Sequence, residues 1–107
     1  MRRLSRRIKR TSVRHVAGHK TSLLNLFMYY VYIIKSELVP DKFYVGYSLD
    51  VKSRLIKHNE GGSIYTKDYK PWTLVFCSVF KEKHIALGFE KYLKSHSGRS
   101  FMKKRLV

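Results

Sequence analysis

Seven positions in the chain carry residue types that chemistry could use: Tyr30, Tyr32, Tyr44, Gly46, Arg54, His58 and Glu90. Taken singly, each has an ordinary explanation. A tyrosine on a strand is usually a packed ring with a wet hydroxyl, and a histidine near a helix end complements the helix dipole. Glu90 with Lys94 makes an i,i+4 pair worth ~0.2–0.5 kcal/mol, and Gly46 permits a bulge or a close backbone approach. Taken together they are the parts needed to hydrolyse a phosphodiester. That reaction requires an activated water, a stabiliser for charge on the transferring phosphoryl group, and help for the leaving oxygen. A divalent cation on a carboxylate acts as Lewis acid, an arginine offers forked donors that match phosphate oxygens, and a tyrosine or histidine relays the proton of the water. A single well-placed carboxylate implies a hard ion that keeps several of its own waters, as Mg2+ does. Metal ligation by histidine is not indicated in the compact region, where His58, His84 and His96 show no paired ligand spacing.

The elements that must position these residues can be read along the chain. Residues 29–35 are aromatic and β-branched, the composition of a strand. Pro40-Asp41 marks a connecting loop, and residues 43–47 return as a second, antiparallel strand. Ser48 or Asp50 is placed to cap a helix over 49–59. In that helix Val51 and Leu55 face the core while Arg54 and His58 share a neighbouring stripe, and Gly61-Gly62 ends it. Residues 63–71 form a polar loop. Residues 72–80 make a third strand whose continuous apolar run predicts a central or well-covered place in the sheet. A second helix, from 81 or 82 to about 95, shows Ile85, Phe89, Tyr92 and Leu93 at core spacing. Gly88 within it costs ~1 kcal/mol relative to Ala, which predicts tight packing against another backbone. Ser97-Gly98 breaks the pattern, and residues 99–106 form a short basic helix. The expected fold class is α+β: a small three-stranded, mainly antiparallel sheet flanked by helices in the order β-β-α-β-α-α.

Bulk composition narrows the partners. A chain of 107 residues is one domain with a tail at most. Its 23 Lys and Arg against 7 Asp and Glu give a net charge of +16, which calls for a polyanionic partner, nucleic acid first and an anionic membrane surface second. The apolar stretch over 23–34 is too short to span a bilayer, so no membrane segment is expected. A lone cysteine, Cys77 in the run WTLVFCSVF, excludes an internal disulfide and a cysteine zinc cage, and suits a small core filler in a reducing, cytoplasmic setting. Residues 1–27 hold eight Lys or Arg and no acid, half of the net charge. They read as a solvated tail, as an Arg-rich targeting segment, or as an extension upstream of a natural start at Met28. The compact domain is expected over 28–107.

The arrangement resembles a known family. Tyr30-Val31-Tyr32, followed by Tyr44-Val45-Gly46, resembles the two halves of the GIY-YIG nuclease signature, with Tyr30 standing at the first signature glycine. LDVKSRLIKHN is similar to the next block of that superfamily, with Arg54 at its arginine and His58 where many members carry histidine. GGSIYTKDYKPWTLVF resembles the loop and third strand of small single-domain members. FEKYLKSHSGRSF is similar to their second-helix block and puts Glu90 on the metal-binding glutamate. The likeness covers residues 29–104 and extends to the amino-terminal nuclease domain found in the bacterial repair excinuclease, to some homing endonucleases and to enzymes that cut branched DNA. It implies an Mg2+- or Mn2+-dependent DNA endonuclease, structure-selective on branched, flapped or damaged DNA, working in repair or recombination at the nucleoid. By the same resemblance Tyr32 and Tyr44 line the site and one of them handles the attacking water, Arg54 steadies the phosphate, and His58 assists. Glu90 binds the metal, and Gly46 lets strand and site approach. Lys52, Lys57, Lys67, Lys94 and Arg99 are expected to hold the DNA through counterion release. The competing expectation is a non-catalytic basic nucleic-acid-binding module, which has no need for Tyr32, Tyr44, Arg54 and Glu90 to converge on one cleft.

Overall fold

A run of aromatic and β-branched residues forms β1 (Tyr29–Ser36), and its position explains its composition. Val31, Tyr32, Ile33 and Ile34 are all fully buried although successive side chains point to opposite faces, so both faces of this strand are covered. The computed structural model describes residues 28–107, and the readings placed on residues 1–27 lie outside the described residues. In it β1 is the middle strand of a sheet ordered β2-β1-β3, with β2 (Phe43–Ser48) and β3 (Trp72–Phe80) both antiparallel to it.

The continuous apolar run of residues 72–80 therefore forms an edge strand, not a central one. Leu74 and Val79 are 37% and 41% exposed. A bulge accounts for part of its composition. Ile33 pairs with Phe76 and Ile34 with Leu74, which leaves Val75 as the extra residue, and Val75 and Phe76 then both pack against the same cluster.

The two faces of β1 build two separate cores. Val31 and Ile33, with Val45 of β2, pack against Ala86 and Leu93 of α2 (Lys83–Leu93) and against Met102 of α3 (His96–Arg105). Tyr32 and Ile34 pack with Trp72, Tyr44, and Val51 and Leu55 of α1 (Val51–Asn59), with Tyr69 of a short 3-10 turn (Lys67–Tyr69) alongside. The α1 boundaries follow from its caps. Ser53 donates its backbone N–H to Asp50 Oδ1 at 3.1 Å, and beyond the far end Gly61 takes φ +82°, where a side chain is disfavoured. The element order and class match the expected α+β arrangement.

Two details of the helical layer differ from expectation. Ala86, Phe89 and Leu93 make the buried stripe of α2, while Ile85 and Tyr92 are 48% and 41% exposed. The small Ala86 replaces the larger Ile85 at the contact, so the stripe is rotated by one residue. Gly88 faces open space, whereas the close backbone approach is made by Gly98. Gly98 lies inside α3 rather than in a break, near its Ser95 cap, and a Cβ there would collide with the backbone carbonyl of Tyr92. Glycine is thus what allows α3 to fold back directly onto the end of α2. Among the described residues no helix is long and apolar enough to cross a membrane.

Candidate active site

The site starts from a pairing inside the sheet. Tyr32 lies directly across from Gly46 in the β1–β2 register, and its phenol ring occupies the space where a Cβ on Gly46 would be. Any side chain at 46 would push the ring away, so the second signature glycine is there for the first signature tyrosine. The ring reaches α1, where the Tyr32 hydroxyl and His58 Nε2 share a hydrogen bond of 2.8 Å. His58 Nδ1 shares another, of 2.7 Å, with Thr66 Oγ1. Tyr32, His58 and Thr66 are 0%, 1% and 0% exposed, so this chain of polar groups is sealed from bulk water and each ring nitrogen has one partner.

Three further side chains gather around it. The Tyr44 ring meets the imidazole edge-on, centroids 5.1 Å apart. Arg54, one turn before His58 on α1, places its guanidinium beside the Tyr32 hydroxyl, and its Nε is buried with no hydrogen-bond partner. Glu90 comes from α2 on the other layer and is close enough to Tyr32 to act on its proton equilibrium. Its carboxylate, four-fifths buried, accepts from Lys94 Nζ at 3.1 Å, and that ammonium lies 5.6 Å from the centre of the Tyr44 ring.

The electrostatics fix the resting protonation states. Burial pushes the Tyr32 phenol above its ordinary value, with Arg54 opposing that rise and the Tyr44 and Glu90 charges adding to it. Burial likewise holds His58 below its ordinary value of 6.5, and the charges of Arg54 and Lys57 lower it further. At neutral pH the pair is therefore a protonated phenol and a neutral imidazole. Below pH 6.5 the unfolded chain takes up a proton at this histidine that the folded chain resists, so stability is full above that pH and falls as the pH drops through it. The melting temperature is expected to decline from pH 7 to 5.5 more steeply in the native protein than in His58→Gln. Parallel curves would assign the acid sensitivity to other groups.

Of the residues singled out in the sequence, Tyr32, Tyr44, Gly46, Arg54, His58 and Glu90 are brought together. Tyr30 lies on the same strand face as Tyr32, and its hydroxyl is influenced by burial, Cys77 and Asp50. Tyr47, next to Gly46, turns to the opposite face and stacks on Tyr29, ring centres 6.5 Å apart. Thr66 was not singled out. Its only mark in the sequence is indirect, since a buried histidine requires a partner for each nitrogen. The same holds for Asn59, whose side-chain amide bonds both the N–H and the C=O of Trp72 and so ties the end of α1 to the start of β3. Lys52, Lys57, Lys67, Lys94 and Arg99 are all exposed, and Lys94 and Arg99 border one groove with Tyr44.

No group of three or more His, Cys, Asp or Glu able to hold a metal occurs among the described residues. Glu90 is the carboxylate donor that the site presents. Such a donor fits a hard ion that retains most of its water and does not fit a closed zinc cage.

The chain is similar to several known proteins. A UPF0213 protein of Staphylococcus saprophyticus is 38% identical over 76 residues, 70% of this chain and 90% of that protein. One from Streptococcus pyogenes serotype M3 is 38% identical over 72 residues, 66% of this chain and 76% of the relative. The solution NMR structure of a UPF0213 protein from Bacillus halodurans has 31% identity and a TM-score of 0.45, covering 72% of this chain and 83% of that one. The family model of the GIY-YIG catalytic domain, a nuclease domain, matches residues 28–105. With nearly all of the described fold inside that match and both signature tyrosines meeting at His58, the chain belongs to the GIY-YIG family.

Proposed function

We propose that the protein is a divalent-metal-dependent endonuclease that hydrolyses DNA phosphodiester bonds. The observation that carries this reading is the meeting of Arg54, the Tyr32–His58 pair and Glu90 at one place, contributed by three different elements. Glu90 would hold Mg2+ or Mn2+, which when bound supplies Lewis-acid charge to the leaving oxygen. Every other step belongs to the protein's own side chains. Arg54 binds a non-bridging phosphate oxygen through its fork, and its partnerless Nε supports that role. Once DNA binding uncovers its hydroxyl, which is fully buried in this structure, Tyr32 accepts a proton from the attacking water while passing its own to His58 Nε2. Neutral His58 is able to take it, and Thr66 Oγ1, by accepting from Nδ1–H, fixes the tautomer that leaves Nε2 open. Tyr44 supports the imidazole through its ring edge.

The substrate class in this reading is branched, flapped or damaged DNA, with repair or recombination as the setting. Surface attraction by a +16 chain is sequence-independent, which favours selection by DNA shape. The test is a substrate panel of linear duplex, flap, four-way junction, single strand and RNA, with Mg2+, Mn2+ or chelator. Cleavage of branched DNA that chelator abolishes is expected. Tight binding without cutting of any member, with either ion, would leave only the basic binding module.

A further inference from the structure

Beside the Tyr32–His58 pair lies a groove of about 450 Å3. It is bordered by the cations Lys42, Lys94 and Arg99 and by aromatic residues that include Tyr44, Tyr65 and Trp72, with no carboxylate in its lining. The Tyr44 ring is shared between the groove and the cluster around His58, so the two spaces adjoin. Tyr65 is the unexplained member. It is 75% exposed, yet its backbone is held on its carboxy-terminal side by an ordered loop. Thr66 and Lys67 both donate their N–H to Ser63 O, at 3.2 and 2.9 Å, and Trp72 Nε1 donates to Thr66 O at 2.9 Å. Thr66 itself is bonded to His58. A single exposed tyrosine is unremarkable on a protein surface. A tyrosine on an anchored backbone, at the mouth of a cationic groove next to a phosphate-cutting site, is what a nucleobase needs for stacking. The cations are matched to the rest of a nucleotide. Among the described residues the acidic partners of the two ion pairs are Glu90 and Glu82, so neither Lys42 nor Arg99 is neutralised by a carboxylate. Lys42 Nζ sits over the Tyr69 ring, 4.5 Å from its centre, which orients it at the groove wall.

We infer that this groove is a subsite for one unpaired nucleotide adjoining the phosphate to be cut, its base stacked on Tyr65 and its own phosphate held by Lys42 and Arg99. Adjacency to a cut phosphate rests on the nuclease reading; the binding itself does not. A paired base hides its faces within the duplex, so this stacking surface distinguishes a frayed, flapped or single-stranded position from a continuous helix. Tyr65 thereby selects substrate, and Lys94, engaged by Glu90, is not required for the subsite.

The experiment uses the full chain with chelator present, so that nothing is cut, and a short single-stranded DNA carrying one 2-aminopurine, with the matching duplex as control. Stacking is expected to quench the 2-aminopurine. Tyr65→Ala is expected to weaken single-strand binding roughly tenfold and abolish the quench, while Tyr65→Trp retains both and duplex affinity is unchanged. Equal single-strand affinity in Tyr65→Ala, or equal losses on single strand and duplex, would overturn the subsite. A parallel cleavage assay with Mg2+ separates the two readings. Quenching by Tyr65 without cleavage sinks the nuclease and keeps the subsite, whereas cleavage without a Tyr65-dependent quench does the reverse.

Discussion

Glu90→Gln is expected to give a protein that folds and binds DNA normally and no longer cuts it. The fold should survive because an exposed i,i+4 partner such as Lys94 contributes only ~0.2–0.5 kcal/mol, and the α2 core stripe of Ala86, Phe89 and Leu93 does not include this side chain. DNA affinity should hold or rise slightly, since the change removes a negative charge from a +16 chain. Cleavage should fall by roughly a thousandfold or more, because a metal supplies several kcal/mol of transition-state charge stabilisation and the amide is a far poorer ligand for a hard ion. Measured side by side, cleavage rate and DNA affinity must separate. Full activity in Glu90→Gln would remove the carboxylate from the mechanism, and equal losses in both would point to a binding role alone.

Arg54→Ala is the second large effect, expected at roughly 10³-fold in kcat/KM on the scale of arginines that stabilise a transferring phosphoryl group. Arg54→Lys should recover only part of it, since a point charge lacks the fork. A second readout makes the test specific. The Arg54 charge lowers both the Tyr32 phenol and His58. Its removal should therefore move the alkaline limb of the pH–rate profile upward and bring His58 closer to its ordinary 6.5. A rate loss with no movement of either limb would mean that Arg54 acts away from the Tyr32–His58 pair.

How far the sequence foretold this can be judged residue by residue. That Tyr32, Tyr44, Gly46, Arg54 and Glu90 would lie near one another was legible because the motif blocks carrying them resemble those of the family, whatever the exact element boundaries. The α1 caps were legible because Asp50 and Gly61 act locally. What failed was information held between elements. An unbroken apolar run, as in β3, reads alike on an edge or in the centre, and it was the mixed run of β1 that proved buried on both faces. Gly88 and Gly98 look equally suited to a close approach, and only the turn between α2 and α3 decides that Gly98 makes it. Thr66 could not be found before His58 was known to be sealed from water, because its importance is the second half of a buried hydrogen-bond pair.

The contact of Gly98 with the Tyr92 carbonyl has a consequence for the chain while it is being made. In order of synthesis Tyr32, Arg54 and His58 emerge before Glu90, and the helix bearing Glu90 is backed by α3 only after Gly98 has followed. On the proposed reading, a nascent or carboxy-terminally clipped chain holds the phosphate-gripping half of the site without the carboxylate firmly presented to it. Such a fragment can cling to DNA but is poorly equipped to break it, so α3 acts as a safety catch that closes once this helix has been made.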